Sequence, residues 1–213
     1  MAISFPRTDI FSSFDFLTRN FSLQYQQEIS RLRGGQMRAR SLGPAIWMGS
    51  FVTGRISWDD CVELESVLDS LQGSLQAFTA HDTRRPMPKN YPFGGFSDTG
   101  QISAIGTGGT TLSLSGLDGG MQLKRGDAVS FDYVSGANTL RGLVRLMEDV
   151  TASGGGATSA VPVEPYVPVG TSVSTPVNLV KPSVLMLIEP GSVQFNDAGQ
   201  TLGTVSFTAQ ELR

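Results

Sequence analysis

The chain has 213 residues and a net charge of −3, with only 16% of its residues charged, against about 25% in an ordinary soluble domain. That length can bury a core unaided, and the mild acidity (pI ≈ 5.1) gives no global attraction for nucleic acid or an anionic membrane. A lone Cys61 excludes an intrachain disulfide framework and a Cys-based zinc or iron–sulfur site.

The segment Met1-Ala-Ile-Ser-Phe-Pro has neither the basic start nor the long apolar stretch of a secretory signal. No run approaches the roughly 20 apolar residues of a membrane span. Both points lead to an expectation of synthesis and use in a reducing or neutral compartment. Phe11, Phe14, Phe16 and Leu17 follow without a clear period, as a short helix or an ordered arm would. From Phe21 the pattern alternates, with Phe21, Leu23 and Tyr25 against Ser22, Gln24 and Gln26, the signature of a half-buried strand. Glu28 to Arg33, Gly34-Gly35 and Gln36 to Ser41 read as a hairpin. Leu42-Gly43-Pro44 breaks it, and Ala45 to Val52 forms the next strand.

A single convincing helix is predicted over 58–72. Ser57 is a good N-cap, Asp59 and Asp60 suit the positive end of the dipole, and Gly73 can stop it. Cys61, Leu64, Val67, Leu68 and Leu71 fall on one stripe, so one face packs on a sheet. Leu75 to Thr79 is then expected as a strand, closed by the polar turn from His81 to Pro86. The turn formers of Asn90 to Gly100 suit a domain boundary.

Short strands follow at 102–106, 110–114, 128–133, 139–147 and 158–163, separated by Gly-rich turns, as in a small barrel or sandwich. Pro162 to Pro176 reads as an extended crossover. Val184 to Ile188, Val193 to Phe195 and Leu202 to Phe207 complete the strands. The predicted fold is mostly β (α+β), an N-terminal sheet or sandwich with one packed helix plus a smaller β-barrel. The expected organisation is a first unit over 1–95, a barrel over 96–170, and strands in 171–213 returning to the first unit.

The inventory argues against an enzyme. His81 is the only histidine, no Gly-x-Ser-x-Gly elbow occurs, and Asp59-Asp60 is explained by helix capping. Gly106-Thr107-Gly108-Gly109-Thr110 lacks the Lys-Ser/Thr ending of a phosphate cradle. Asp127, Asp132 and Asp149 lack the spacing of an EF-hand, so no metal or cofactor is expected. Trp47 and Trp58 read as packing partners of the helix rather than as sugar-stacking residues. Thirteen of the sixteen cations are Arg. Their clusters at Arg31, Arg33, Arg38 and Arg40, and at Arg84 and Arg85 beside His81, suit contacts between subunits, since Arg pairs bidentately with carboxylates. A solvated strand face is the competing explanation.

Three blocks of sequence together resemble siphophage minor and distal tail proteins, including those of gene-transfer-agent-like tails. They are Phe21 to Gln36 with Leu42-Gly-Pro-Ala-Ile-Trp47; Leu71-Gln-Gly-Ser-Leu-Gln-Ala-Phe78 through Asp82 with Arg85-Pro86; and Leu123-Lys-Arg-Gly-Asp127 with Glu148 to Thr158 and Val161-Pro-Val-Glu-Pro165. The resemblance implies a structural ring subunit, typically hexameric, that joins a tail tube to hub or baseplate proteins in a virion tail assembled in the host cytoplasm. DNA would pass through its lumen without specific binding. A cluster-bearing hub needs several cysteines, so the lone Cys61 favours the ring adaptor. The alternatives are a carbohydrate- or receptor-binding module of the tail tip and a trimeric hub-associated protein. An exposed platform of Trp47, Trp58, Tyr91 and Phe93 would favour the sugar-binding module.

Overall fold

The computed structural model describes residues 4–197, 199 and 201–213. Residues 1–3, the start of the segment read for a leader, lie outside that range. The first elements are α1 (Ile10–Ser13), β1 (Phe16–Gln24), β2 (Gln27–Arg31), β3 (Met37–Ser41), β4 (Ile46–Thr53) and β5 (Ile56–Ser57). Next come α2 (Trp58–Asp69), β6 (Phe78–His81), β7 (Gln101–Ile105), β8 (Thr111–Ser115) and β9 (Gln122–Leu123). The chain continues through β10 (Ala128–Ser135), β11 (Asn138–Leu146), β12 (Val150–Thr151), β13 (Val161–Glu164) and β14 (Val177–Asn178). It ends with β15 (Ser183–Ile188), β16 (Gln194–Asp197) and β17 (Leu202–Glu211). The fold is mostly β, with one packed helix on a curled sheet and a smaller barrel.

The first sheet has the order β1-β4-β17-β15-β6, and β5 and β16 pair with β17. Its inner face is set by strict alternation in β4, where Trp47, Gly49, Phe51 and Thr53 are buried, and in β17, where Val205, Phe207 and Ala209 are buried. Helix α2 closes this core with Cys61, Leu64 and Leu68. Gly49 has to be a glycine: a Cβ there would lie 2.5 Å from the Phe51 ring, which folds back over the strand. The sheet curls until its two ends meet. Thr18 of edge strand β1 and Thr83, just beyond β6, each donate a backbone N–H to the other's hydroxyl at 3.0 Å.

The second sheet runs β14-β10-β11-β13-β8-β7. Its two edges are drawn together where Ile102 N–H donates to Thr175 O and Ser174 N–H donates to Ile102 O, which nearly closes a barrel. Leu112, Leu114, Leu123, Val129, Phe131, Val144 and Val177 fill it. The two cores touch at Trp47, whose indole N–H donates to Leu143 O at 2.7 Å.

Several local expectations shift. The aromatic run before Phe21 divides into α1 and the start of β1, so the strand begins five residues before the alternation is visible. Helix α2 stops at Asp69 rather than 72. Gln72 (φ 53°) and Gly73 (φ 69°) then turn left-handed, and Gln76 N–H caps Leu71 O. The strand expected at 75–79 therefore starts only at Phe78. Beyond residue 170, Val177–Asn178 pairs with β10 in the barrel, while β15 and β17 pair in the first sheet.

Candidate functional site

The most unusual feature positioned by this fold is a β-ribbon arm. Strands β1 and β4 pair, past a bulge between Thr18 and Asn20, up to Gln24↔Ile46, and the ribbon continues beyond that end as β2 and β3, from Gln27↔Ser41 to Arg31↔Met37. All ten residues of β2 and β3 are exposed, and the two strands form a sheet of their own. A two-stranded hairpin with no face covered is marginal in water. Opposed residues in an antiparallel pair share a face. One face therefore carries Ile29 beside Ala39 and Arg31 beside Met37. The other carries Glu28 beside Arg40 and Ser30 beside Arg38. Arg33 lies in the turn with Gly34 and Gly35. Ile29 and Met37 are 58% and 63% exposed, so the arm holds apolar groups in water as well as four guanidinium groups.

The second predicted cluster sits elsewhere and is less uniform. Arg84 is held by Asp82 through two bonds of 2.9 Å, and that carboxylate raises its pKa. Arg85 faces a cleft at the root of the arm, together with Phe21, Trp47, Met87 and Arg145. His81 is packed rather than presented. It ends β6 opposite Ser183, with its ring 5.3 Å from that of Phe11. Burial first, and then Lys181, lowers its pKa from 6.5 to about 4, although Asp82 acts the other way. The fold thus gathers Arg31, Arg33, Arg38 and Arg40 on one arm and leaves His81, Arg84 and Arg85 as a separate turn.

Arg145 was not legible as a site residue. Its guanidinium lies 4.9 Å over the Trp47 ring, half-buried, and burial followed by the neighbouring Arg85 lowers its pKa. The sequence marked only a short strand there. Beneath the same tryptophan, the Trp47 backbone N–H donates to the buried Glu211 carboxylate at 2.9 Å. Burial raises the Glu211 pKa, and Arg213 partly offsets it.

The four aromatics considered as a sugar platform do not form one. Trp47 is fully buried, and Tyr91 packs edge-on against Phe96 while its hydroxyl accepts from Gln122 N–H. Trp58, expected in the core, is instead 51% exposed in the first turn of α2, because the buried stripe of the helix begins at Cys61. Phe93 is exposed on a loop beside the barrel. The three aspartates weighed as a calcium set are each engaged structurally. Asp127 accepts from Lys89 N–H and Lys124 N–H, Asp132 pairs with Arg141, and Asp149 holds Lys124 and the Arg125 N–H.

The outer face of the first sheet is the remaining large surface. Across its strands the opposed sets are Asn20, Ser50 and Thr208; Ser22, Met48 and Gln210; and Val52 with Ser206. None of these carries a charge. No protein-family model and no curated protein sequence matches the chain.

Proposed function

We propose that the chain is a ring-forming structural subunit of a bacteriophage-type tail tip, a distal tail protein that joins the tail tube to the hub or baseplate and works by assembly rather than catalysis. The observation that carries this reading is the unpacked arm: ten strand residues, all exposed, none of them buried against their own chain. Such an element gains its stabilisation from a neighbour. The outer edge of β1 points the same way: apart from the Thr18–Thr83 bridge, β1 pairs with β4 alone among the described residues, and an open strand edge is a liability in an isolated monomer.

The outer face of β4 and β17, whose opposed residues are uncharged, suits a lumen wall, where hydroxyls and amides pass DNA without gripping its phosphates, and the cation Arg19 stands in the bulge of β1 beside it. The tail-protein part of this proposal rests on the order of the three sequence blocks and their resemblance to tail proteins. In this reading the partners are further copies of the chain in a hexameric ring, a tail tube protein and hub or tip proteins, and the location is the virion tail. The test is electron microscopy of the purified protein and of tails containing it. Six-fold rings are the expected result. Three-fold symmetry would move the chain to a hub-associated role, and a persistent monomer would overturn the assembly reading.

A further inference from the structure

The charges of this chain are sorted by element. Between Ile56 and Thr83 there is no Lys or Arg, and α2 carries Asp59, Asp60, Glu63, Glu65 and Asp69. All five are exposed. No salt bridge reaches any of them among the described residues; the hydrogen bond at Asp60 comes from its own cap, Ser57. The arm is the opposite case: four arginines and one acid, Glu28, again with no ion pair among the described residues.

Each element also exposes apolar groups beside its charges. On α2, Trp58, Val62, Glu65 and Asp69 follow at i, i+4, i+7 and i+11, one row of the helix surface, and Trp58 and Val62 are 51% and 49% exposed. On the arm, Ile29 and Met37 share a face with Arg31. The lengths agree as well. Five strand residues span about 17 Å, and a twelve-residue helix spans about 18 Å.

The two elements lie at opposite ends of β4. The arm rejoins the sheet at Ile46, while α2 starts beyond Thr53, after the short strand β5. The arm is fully exposed, so it is not docked on its own helix. Complementary surfaces at opposite ends of one subunit make a heterologous contact, which closes into a ring when the rotation allows.

We propose that the arm of one copy seats on helix α2 of the next copy through the face that carries Ile29, Met37 and Arg31, with Ile29 and Met37 covering Trp58 and Val62, and with Arg31 and the turn residue Arg33 facing Glu65 and Asp69 on the same helix row. This rests on the assembly reading above and adds which two surfaces meet. The contact forms fastest at low ionic strength, because opposed patches steer the encounter, and it weakens where the Debye length falls to about 3 Å, near 1 M salt.

The test uses the full chain in three variants: Arg31→Glu/Arg33→Glu on the arm, Glu65→Arg/Asp69→Arg on the helix, and all four changes in one chain. None of these side chains is buried, so circular dichroism and the melting temperature should match the parent. By analytical ultracentrifugation and native mass spectrometry, either double variant should weaken self-association by roughly tenfold or more. The fourfold variant, with both signs swapped, should regain it, and a mixture of the two double variants should form mixed pairs. If the parent assembles but the double variants assemble equally well, or the swap restores nothing, the arm–helix contact is wrong and the assembly reading stands. If the parent stays monomeric at every concentration and salt level, both fail. If the arm variant instead loses binding to duplex DNA in a mobility-shift assay while assembly is unchanged, the arm is a nucleic-acid element and the contact is likewise overturned.

Discussion

Glu211 shows how a single group can tie stability to pH. Its carboxylate is buried, accepts the Trp47 N–H and sits 3.0 Å from Arg213 Nε. Because burial raises its pKa above 4.5, the folded chain holds the proton over a window in which the unfolded chain releases it. The stability it contributes is full below that ordinary value and is lost as pH climbs through the raised one. Glu211→Gln, which keeps an acceptor for Trp47, should therefore gain on the parent as pH rises in urea-melt series. Glu211→Ala leaves a buried N–H without a partner and should cost about 1–3 kcal/mol. His81 works in the other direction. Unfolded, it titrates near 6.5; folded, it resists protonation until about 4, so its contribution is lost as pH falls between those values. His81→Gln should flatten the melting-temperature profile across that window, as read by differential scanning calorimetry. A slope unchanged from the parent would mean that other groups dominate there.

At the scale of elements, some features were legible because one local signal settled them. The start of α2 is such a case: Ser57 Oγ accepts the Asp60 N–H at 3.1 Å, and the stripe of Cys61, Leu64 and Leu68 is buried as its period implied. Others depended on distant partners. Phe11 and Phe16 feed the same aromatic cluster from different elements, 5.0 Å apart, so no single period describes them. Trp58 looked like core from its size, yet its place in the helix puts it outside. The proline-bearing crossover hid the closure of the barrel, because Thr175 and Ser174 bond to Ile102 through backbone atoms that no side-chain pattern reports. The hairpin itself was legible from Gly34-Gly35; that both of its faces would stay bare was not. That bareness makes a prediction. Replacing residues 28–40 with a two-residue Asn-Gly turn removes no buried side chain, so the melting temperature should stay within a few degrees of the parent. Self-association should disappear in ultracentrifugation.

At the scale of the molecule, the charge map and the topology carry different information. Net charge alone located nothing; the arginine cluster of the hairpin and the acids of α2 were legible in the sequence, but that neither set makes an ion pair among the described residues appears only in the folded chain. The topology has its own asymmetry. Every strand of the barrel, β7 to β14, comes from one continuous stretch, Gln101–Asn178. The first sheet instead draws on both ends of the chain, with β17 between β4 and β15 at its centre. A chain truncated after Pro190 should retain a protease-resistant barrel fragment and lose protection in the first sheet, as read by limited proteolysis with mass spectrometry.

The central place of β17 also sets an order of events during synthesis. Strands β1 and β4 leave the ribosome early, with Phe16, Phe21 and Phe51 uncovered, and wait for Phe207 and Ala209 to be translated before their core can close. The barrel completes itself in the interval. For that period the nascent chain is half folded, with its most aromatic surface open to chaperones or to the wrong neighbour. The late strand thus acts as a timer: a copy lacks its finished sheet, and with it a rigid base for the arm, until Glu211 has been made.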